Sequence, residues 1–241
     1  YEYSYTKEDL YFPKKIEQTL TGKEKLGVIT RSVKGEALGY FAILKKSDSN
    51  IAEVGEAVVS PRYRKKGIMS GMMEQLIKVA RDHHFDALFG KAVTIHPVSQ
   101  RVNQKFGFIS TGLMLLETQN VVFKGFDEDY PQPVSVVIDV LPLKRAKSKE
   151  IYLPSKYHEI LLDTYNMLDI PVTTKKISYY KMAEKSDAEL TINYADSTAL
   201  IIVKKYGPDF RSVLQNMLDS LIKQENPNAI YLDLPLENSA T

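Results

Sequence analysis

Cysteine and tryptophan are both absent from the chain, and only four histidines occur among its 241 residues. Without cysteine there is no disulfide framework, no thiolate nucleophile and no cysteine-ligated metal or iron–sulfur centre; the composition fits a reducing compartment, with the cytoplasm as the expected location. None of the histidines falls in an HxxxH or HExxH spacing, so no metal is expected. An excess of one charge is lacking as well: 32 Lys and Arg against 30 Asp and Glu leave a net charge of +2. That supplies no global field for nucleic acid or a membrane surface, and neither is expected as a partner. The fifteen tyrosines are dispersed without an interleaved basic stripe and read as packing residues, not stacking platforms for bases. Long apolar runs are also missing. Val136 to Ile138 and Ala199 to Val203 fall far short of the roughly 20 residues that a spanning helix needs. The chain opens on Tyr1 with neither a charged n-region nor an apolar h-region, so no secretory signal is expected.

What is present is an ordinary globular composition, 44% hydrophobic and 26% charged, long enough for two small domains. Apolar residues at helical spacing from Lys7 to Leu20 predict a helix or helical pair, stopped by Thr21-Gly22. Three strand-like runs follow, Leu26 to Arg31, Leu38 to Lys45 and Ile51 to Val59, joined by short polar turns that suggest an antiparallel meander. An amphipathic helix through Ile68, Met72, Leu76 and Ala80 then crosses to a strand at Ala87 to Val93, which favours parallel pairing of the strands it joins. His83-His84 caps the end of that helix. A short helix from Val98 and strands at Ile109 to Thr118 and Val134 to Val140 complete the first part, with a polar stretch around Lys124 to Pro133 between the strands. Lys144 to Glu150, charged and poor in apolar residues, is the predicted linker. Beyond it come a helix from Pro154 to Leu168, strands at Ala188 to Tyr194 and Ala199 to Lys205, a helix after Gly207-Pro208-Asp209, and a last strand at Ala229 to Leu234. Strand, strand, helix, strand repeats the order of the first part and suggests a structural duplication.

The stretch that carries chemistry runs from Ala52 to Met73, where a strand, a basic turn containing Gly67 and a helix follow without interruption. A helix N-terminus presents unpaired N–H groups and about half a positive charge, so the turn before it suits an anion such as pyrophosphate. Arg62, Arg64, Lys65 and Lys66 add charge around that point.

Arg64-Lys65-Lys66-Gly67-Ile68-Met69 resembles the pyrophosphate loop Gln/Arg-x-x-Gly-x-Gly/Ala of the GNAT superfamily of N-acetyltransferases. It departs at the sixth position, where Met69 replaces a small residue. Lys105-Phe106-Gly107-Phe108 is similar to the family's Lys-x-Gly-Phe signature after the next strand. The resemblance spans roughly Tyr3 to Val140 and implies a mixed α/β fold with a mostly antiparallel central sheet flanked by helices. It also implies an opening strand before the first helix, which the chain as given lacks. The domains expected are a GNAT acyl-CoA-binding domain at 1–143 and a smaller GNAT-like module at 144–241.

Acetyl-CoA is then the expected co-substrate, with its phosphates on main-chain N–H groups of Arg64, Lys65, Lys66, Gly67, Ile68 and Met69 and its pantetheine arm paired with Ala57, Val58 and Val59. Ser99 is counted with these contacts. The family often carries a glutamate base on the strand before the loop, so Glu53 is the first candidate and Glu56 the second. Strand alternation puts the two on opposite faces unless a bulge intervenes. A base must reach the ammonium proton, and partial burial raises a carboxylate toward the working pH. At the position of the family's tyrosine acid stands Asn103, whose amide cannot protonate a leaving thiolate; His96, Ser99 or water would have to substitute. The expected activity is N-acetyl transfer to an amine, small or on a protein, whose identity the sequence does not give. Neither does it give the oligomeric state. The alternative is a non-catalytic acyl-CoA sensor acting through a protein partner. In the second part, Tyr206-Gly207-Pro208-Asp209 stands where a duplicated phosphate turn would lie, but its proline removes an N–H and its acid repels phosphate. That module is expected to be degenerate and to bind no cofactor.

Overall fold

The computed structural model describes residues 8–22, 24–45, 49–119, 132–175 and 183–237. Residues ahead of Glu8, and residues 124–131 of the polar stretch at 124–133, lie outside the described residues. By its internal contacts the chain forms two compact units. Of the described residues, one gathers those up to Met114 and again from Ser135 to Ala146, and the other takes 115–119, 132–134 and those from Lys147 onward.

In the first unit a one-turn helix at Glu8–Tyr11 leads into α1 (Pro13–Thr21), the predicted helical pair, with Pro13 at the first turn, where its missing N–H costs nothing. Strands β1 (Lys25–Arg31), β2 (Ala37–Leu44) and β3 (Ile51–Val59) form the meander; α2 (Ile68–Asp82) crosses to β4 (Ala87–Val93); α3 (Val98–Lys105), β5 (Ile109–Thr118) and β6 (Val134–Pro142) follow. The six strands lie in the order β1-β2-β3-β4-β6-β5. The pairs β1–β2, β2–β3 and β4–β6 are antiparallel, and β3–β4 is parallel, as a helical crossover requires.

Alternation sorts the sheet into two faces. Phe41, Ile43, Ala52, Val54 and Leu88 turn to one side, where Met72, Met73, Leu76 and Ala80 of α2 complete a closed core. Those α2 positions recur at three- and four-residue steps, so the helix lays one continuous stripe on the sheet. Each large side chain buried there contributes about 1.5–3 kcal/mol. Val102 and Phe106, from α3 and the turn after it, pack against the same cluster. Helix α2 ends at His83, whose N–H donates to Val79 O, and His84 takes φ 60°, so this pair does form the helix end.

In the second unit β7 (Lys149–Ile151) pairs in parallel with β8 (Val172–Thr174), and α4 (His158–Met167) lies between them in sequence. Neither short strand is legible in the sequence, and β7 takes up the end of the predicted linker. Strands β9 (Asp187–Asn193), β10 (Thr198–Lys205) and β11 (Ala229–Asp233) form a sheet in the order β11-β10-β9, with α5 (Phe210–Gln224) crossing from β10 to β11. Antiparallel β9–β10 followed by parallel β10–β11 repeats the arrangement of β2, β3 and β4. Its core is small: Ala199, Ile201 and Leu221, flanked by Leu214, Met217 and Leu218.

Candidate functional site

Strands β3 and β4 pair only from Ile51↔Ala87 to Val54↔Gly90. Beyond that point β3 runs on to Val59 along β2, and β4 runs on to Val93 along β6, but the two no longer pair with each other. The sheet therefore opens between them toward their shared C-terminal end. The edge of β3 from Gly55 to Val59 presents main-chain groups there, and an extended ligand can add to such an edge as a strand would.

A bulge accompanies the opening. Ala42 pairs with Gly55, but Tyr40 pairs with Val58, so β3 carries one residue more than β2 over this interval. Glu56 supplies it, at φ 59°. The bulge changes which way the two candidate bases point. Glu53 pairs with Leu44, which pairs with Lys25, so all three share the face away from α2. The Glu56 carboxylate accepts a hydrogen bond from Lys25 Nζ at 2.8 Å and therefore lies on that face too. Glu53 and Glu56 end on one side of the sheet, as the sequence allows only with a bulge between them. They differ in surroundings: Glu53 is half-buried, whereas the Glu56 side chain is fully enclosed. Tyr40, on the same face, has its phenol pushed up to about 12, first by burial and then by the Glu56 charge.

At the C-terminal end of β3 the chain passes through a turn at Pro61–Tyr63 and two left-handed residues, Lys65 (φ 63°) and Gly67 (φ 78°), before α2 begins. Gly71 N–H is the first of α2 to bond back, to Gly67 O at 3.0 Å. The N–H groups of Ile68, Met69 and Ser70 stand at the open first turn, and Gly67 at the cap has no side chain to satisfy them. A Cβ added to Gly67 or Gly71 would meet nothing within 4 Å, so neither glycine is crowded, and a helix N-terminus of this kind suits an anion. Arg64 donates from Nε to Val59 O at 3.3 Å and ties the loop to the end of β3. Lys66 Nζ lies 5.2 Å from the Tyr63 ring centroid, and Tyr63 donates to Glu36 at 3.0 Å. Arg62, Lys65 and Lys66 are exposed. Met69, the departure from the loop pattern, packs against the core, so its bulk leaves the open side of the turn clear.

Because β3 and β4 run parallel, the segment after β4 reaches the same end of the sheet. His96 and Ser99 lie there, both half-buried, His96 before α3 and Ser99 in its first turn. Gln100 Nε2 donates to Val93 O at 3.1 Å and holds α3 against the strand end. Asn103 is buried on α3. Its Nδ2 donates to Asp139 Oδ2 at 2.8 Å, and Ser110 Oγ donates to Asp139 Oδ1 at 2.6 Å. Asp139 is fully buried on β6, level with Gly90 at the apex of the opening. A Cβ on Gly90 would come within 3.1 Å of Asn103 Nδ2, so this glycine is what allows the amide to lie against the strand. Sequence reasoning found Asn103 but neither Asp139 nor Lys25, since each acts through a partner far away in the chain.

The second unit closes the corresponding turn. A Cβ on Gly207 would fall 2.5 Å from the backbone of Lys185 and Ser186, and Asp209 Oδ1 accepts from Ser186 N–H at 2.8 Å. The backbone of another segment thus occupies the space that the first unit leaves free. Among the described residues no group of three or more metal-ligating side chains comes together, and no helix is long and apolar enough to cross a membrane.

Residues 2–108 match the model of the acetyltransferase (GNAT) family. Solved structures similar to this chain include an N-acetyltransferase from Staphylococcus aureus Mu50, at 22% identity and a TM-score of 0.43, covering 54% of this chain and 73% of that one. Another is the ribosomal-protein-S18-alanine N-acetyltransferase from Escherichia coli, at 15% identity and a TM-score of 0.43, covering 54% of this chain and 79% of that one. Among curated proteins nothing matches the chain.

Proposed function

From the premise that residues 2–108 belong to the GNAT acetyltransferase family, we propose that the chain is an acetyl-CoA-dependent N-acyltransferase acting on an amine. One observation carries the reading. The opening between β3 and β4 ends beside an uncapped helix N-terminus reached through two left-handed residues, which suits a long ligand with an anionic end. Main-chain N–H groups at the start of α2 and the exposed Lys65 and Lys66 would hold the pyrophosphate. Ala57, Val58 and Val59 would pair with the pantetheine arm.

Glu53 is the base in this reading. Glu53 is half-buried beside the point where pairing stops, and its carboxylate would take a proton from the acceptor ammonium, directly or through water. Glu56 stands second, because its carboxylate already faces Lys25. Attack of the neutral amine on the thioester carbonyl gives a tetrahedral oxyanion, which main-chain N–H groups of β3 near Val58, at the open edge beside the bulge, would stabilise. His96 or Ser99 at the mouth of the opening, or water, returns a proton to the departing thiolate, while the positioned reactants supply much of the acceleration. Titration calorimetry with acetyl-CoA tests the reading. Binding that Gly67→Val weakens is expected; no detectable binding at millimolar ligand, with the fold intact, overturns it.

A second reading has its own support. Asn103 is locked onto a buried carboxylate and offers no acid, which favours an acyl-CoA sensor that signals through a protein partner without turnover. Thiol release with a panel of amines separates the two, since a sensor binds and releases none. Loss of release in Glu53→Gln, with acetyl-CoA affinity kept, would assign the base.

A further inference from the structure

Backbone at φ 59° is unfavourable for a residue with a Cβ, and it persists at Glu56 only if the surroundings hold it there. A buried charge pair is part of those surroundings. Lys25, on β1, reaches across β2 to place Nζ 2.8 Å from Glu56 Oε1; the lysine side chain is only 16% exposed and the glutamate side chain 0%. The crossing is possible because Gly27, Ala42 and Gly55 stand in register on three neighbouring strands and leave a shallow floor. Tyr40 leans over that floor, so close to Gly27 that a Cβ there would meet its ring at 2.6 Å.

We propose that Lys25 is a positioning residue: its ammonium pins Glu56 to the outer face of the sheet, fixes the bulge, and thereby keeps β3 and β4 apart beyond Val54 and Gly90. Removing one partner of a buried ion pair is strongly destabilising, because the charge that stays behind loses its nearest opposite charge out of water. Without Lys25 the Glu56 carboxylate escapes by leaving the enclosed site, and the route out is to undo the bulge, which shifts residues 57–59 by one and turns their side chains to the opposite faces. The second unit offers a contrast. Strand β10 also carries an extra residue just past its last parallel pair, Ile202↔Asp233, but the lysine there, Lys204, pairs with Glu189 in solvent. An exposed pair of that kind holds little.

The consequence for acyl-CoA rests on the function proposed above; the pin does not. The test is a set of variants measured by calorimetry with acetyl-CoA. Lys25→Met is expected to weaken binding about tenfold, because only a fraction of molecules then hold the opening. Lys25→Arg keeps the charge and is expected to stay within about twofold of wild type. Glu56→Gly removes both the buried acid and the strain, so in that background Lys25→Met should have no further effect. Lys25→Met binding as tightly as wild type, or a double variant weaker than Glu56→Gly alone, overturns the proposal. If Lys25→Met does not fold, the double variant decides: folded and binding like Glu56→Gly, it supports the pin, and unfolded it refutes it. A wild-type protein that binds no acetyl-CoA overturns the proposed function only. Amide exchange at Ala57, Val58 and Val59 then still reads the pin, expected to be faster in Lys25→Met and restored in the double variant.

Discussion

Asn103 shows how one side chain can hold several elements at once. From α3 it satisfies the Asp139 carboxylate on β6, which also accepts from Ser110 on β5, and it lies against Gly90 of β4. Asn103→Ala removes a donor from a fully buried carboxylate, and that is expected to cost about 1–3 kcal/mol, measured as a lower urea midpoint. Asp139→Asn, which keeps a partner for both neighbours, is expected to cost less. Tyr40 gives a second prediction. Its pKa is raised from 10.0 to about 12, so below pH 10 both the folded and the unfolded chain keep this proton. Between those values the unfolded chain has released it while the folded chain retains it, and stability falls as pH rises. In a tyrosinate absorbance titration, Tyr40→Phe should lose amplitude above the range of ordinary tyrosines. Loss of amplitude near the ordinary value would contradict the buried placement of this ring.

Among the elements, the turn into α2 and the bulge in β3 were legible to different degrees. The turn was visible because a basic run, a glycine and an amphipathic helix are contiguous, and each acts through local backbone geometry. Two glycines in that run differ in what holds them. Gly67, at φ 78° with open space around it, is held by backbone conformation alone. Gly67→Ala should cost about 1 kcal/mol of stability and a larger share of acetyl-CoA affinity, because the N–H groups are re-aimed. Gly71, inside α2 and equally uncrowded, should gain about 0.5–1 kcal/mol on substitution by alanine, read as a raised thermal midpoint. The bulge was not legible. Alternation in Glu53-Val54-Gly55-Glu56 reads as continuous strand, and the residue that bends it, Lys25, lies 31 positions away in sequence.

For the whole molecule, the order of strands and helices repeats between the units, and so does the bulge just beyond the last parallel pair. What differs is the turn that follows, open at Gly67 and closed at Gly207. Ligand protection should follow that difference. In hydrogen exchange, acetyl-CoA is expected to slow amides in β3 and at the start of α2 and to leave β9, β10 and β11 unchanged; protection of the start of α5 would mean that the second unit binds as well. Gly207→Ala, which drives a Cβ into the backbone of Lys185 and Ser186, should destabilise the second unit with little loss of acetyl-CoA affinity. By itself the sequence determined the longer elements and the strand, glycine turn and helix that run from β3 into α2, since periodicity, glycine placement and helix-end chemistry act over a few residues. It also showed a proline and an acid, Pro208 and Asp209, in the second turn, which are visible without a structure. Only the tertiary structure decided that Glu53 and Glu56 share a face, that Asn103 is committed to Asp139, and that β3 and β4 part company after Val54. Each of these depends on pairings between residues far apart in the chain, where one residue of register or one distant ammonium decides which way a side chain points.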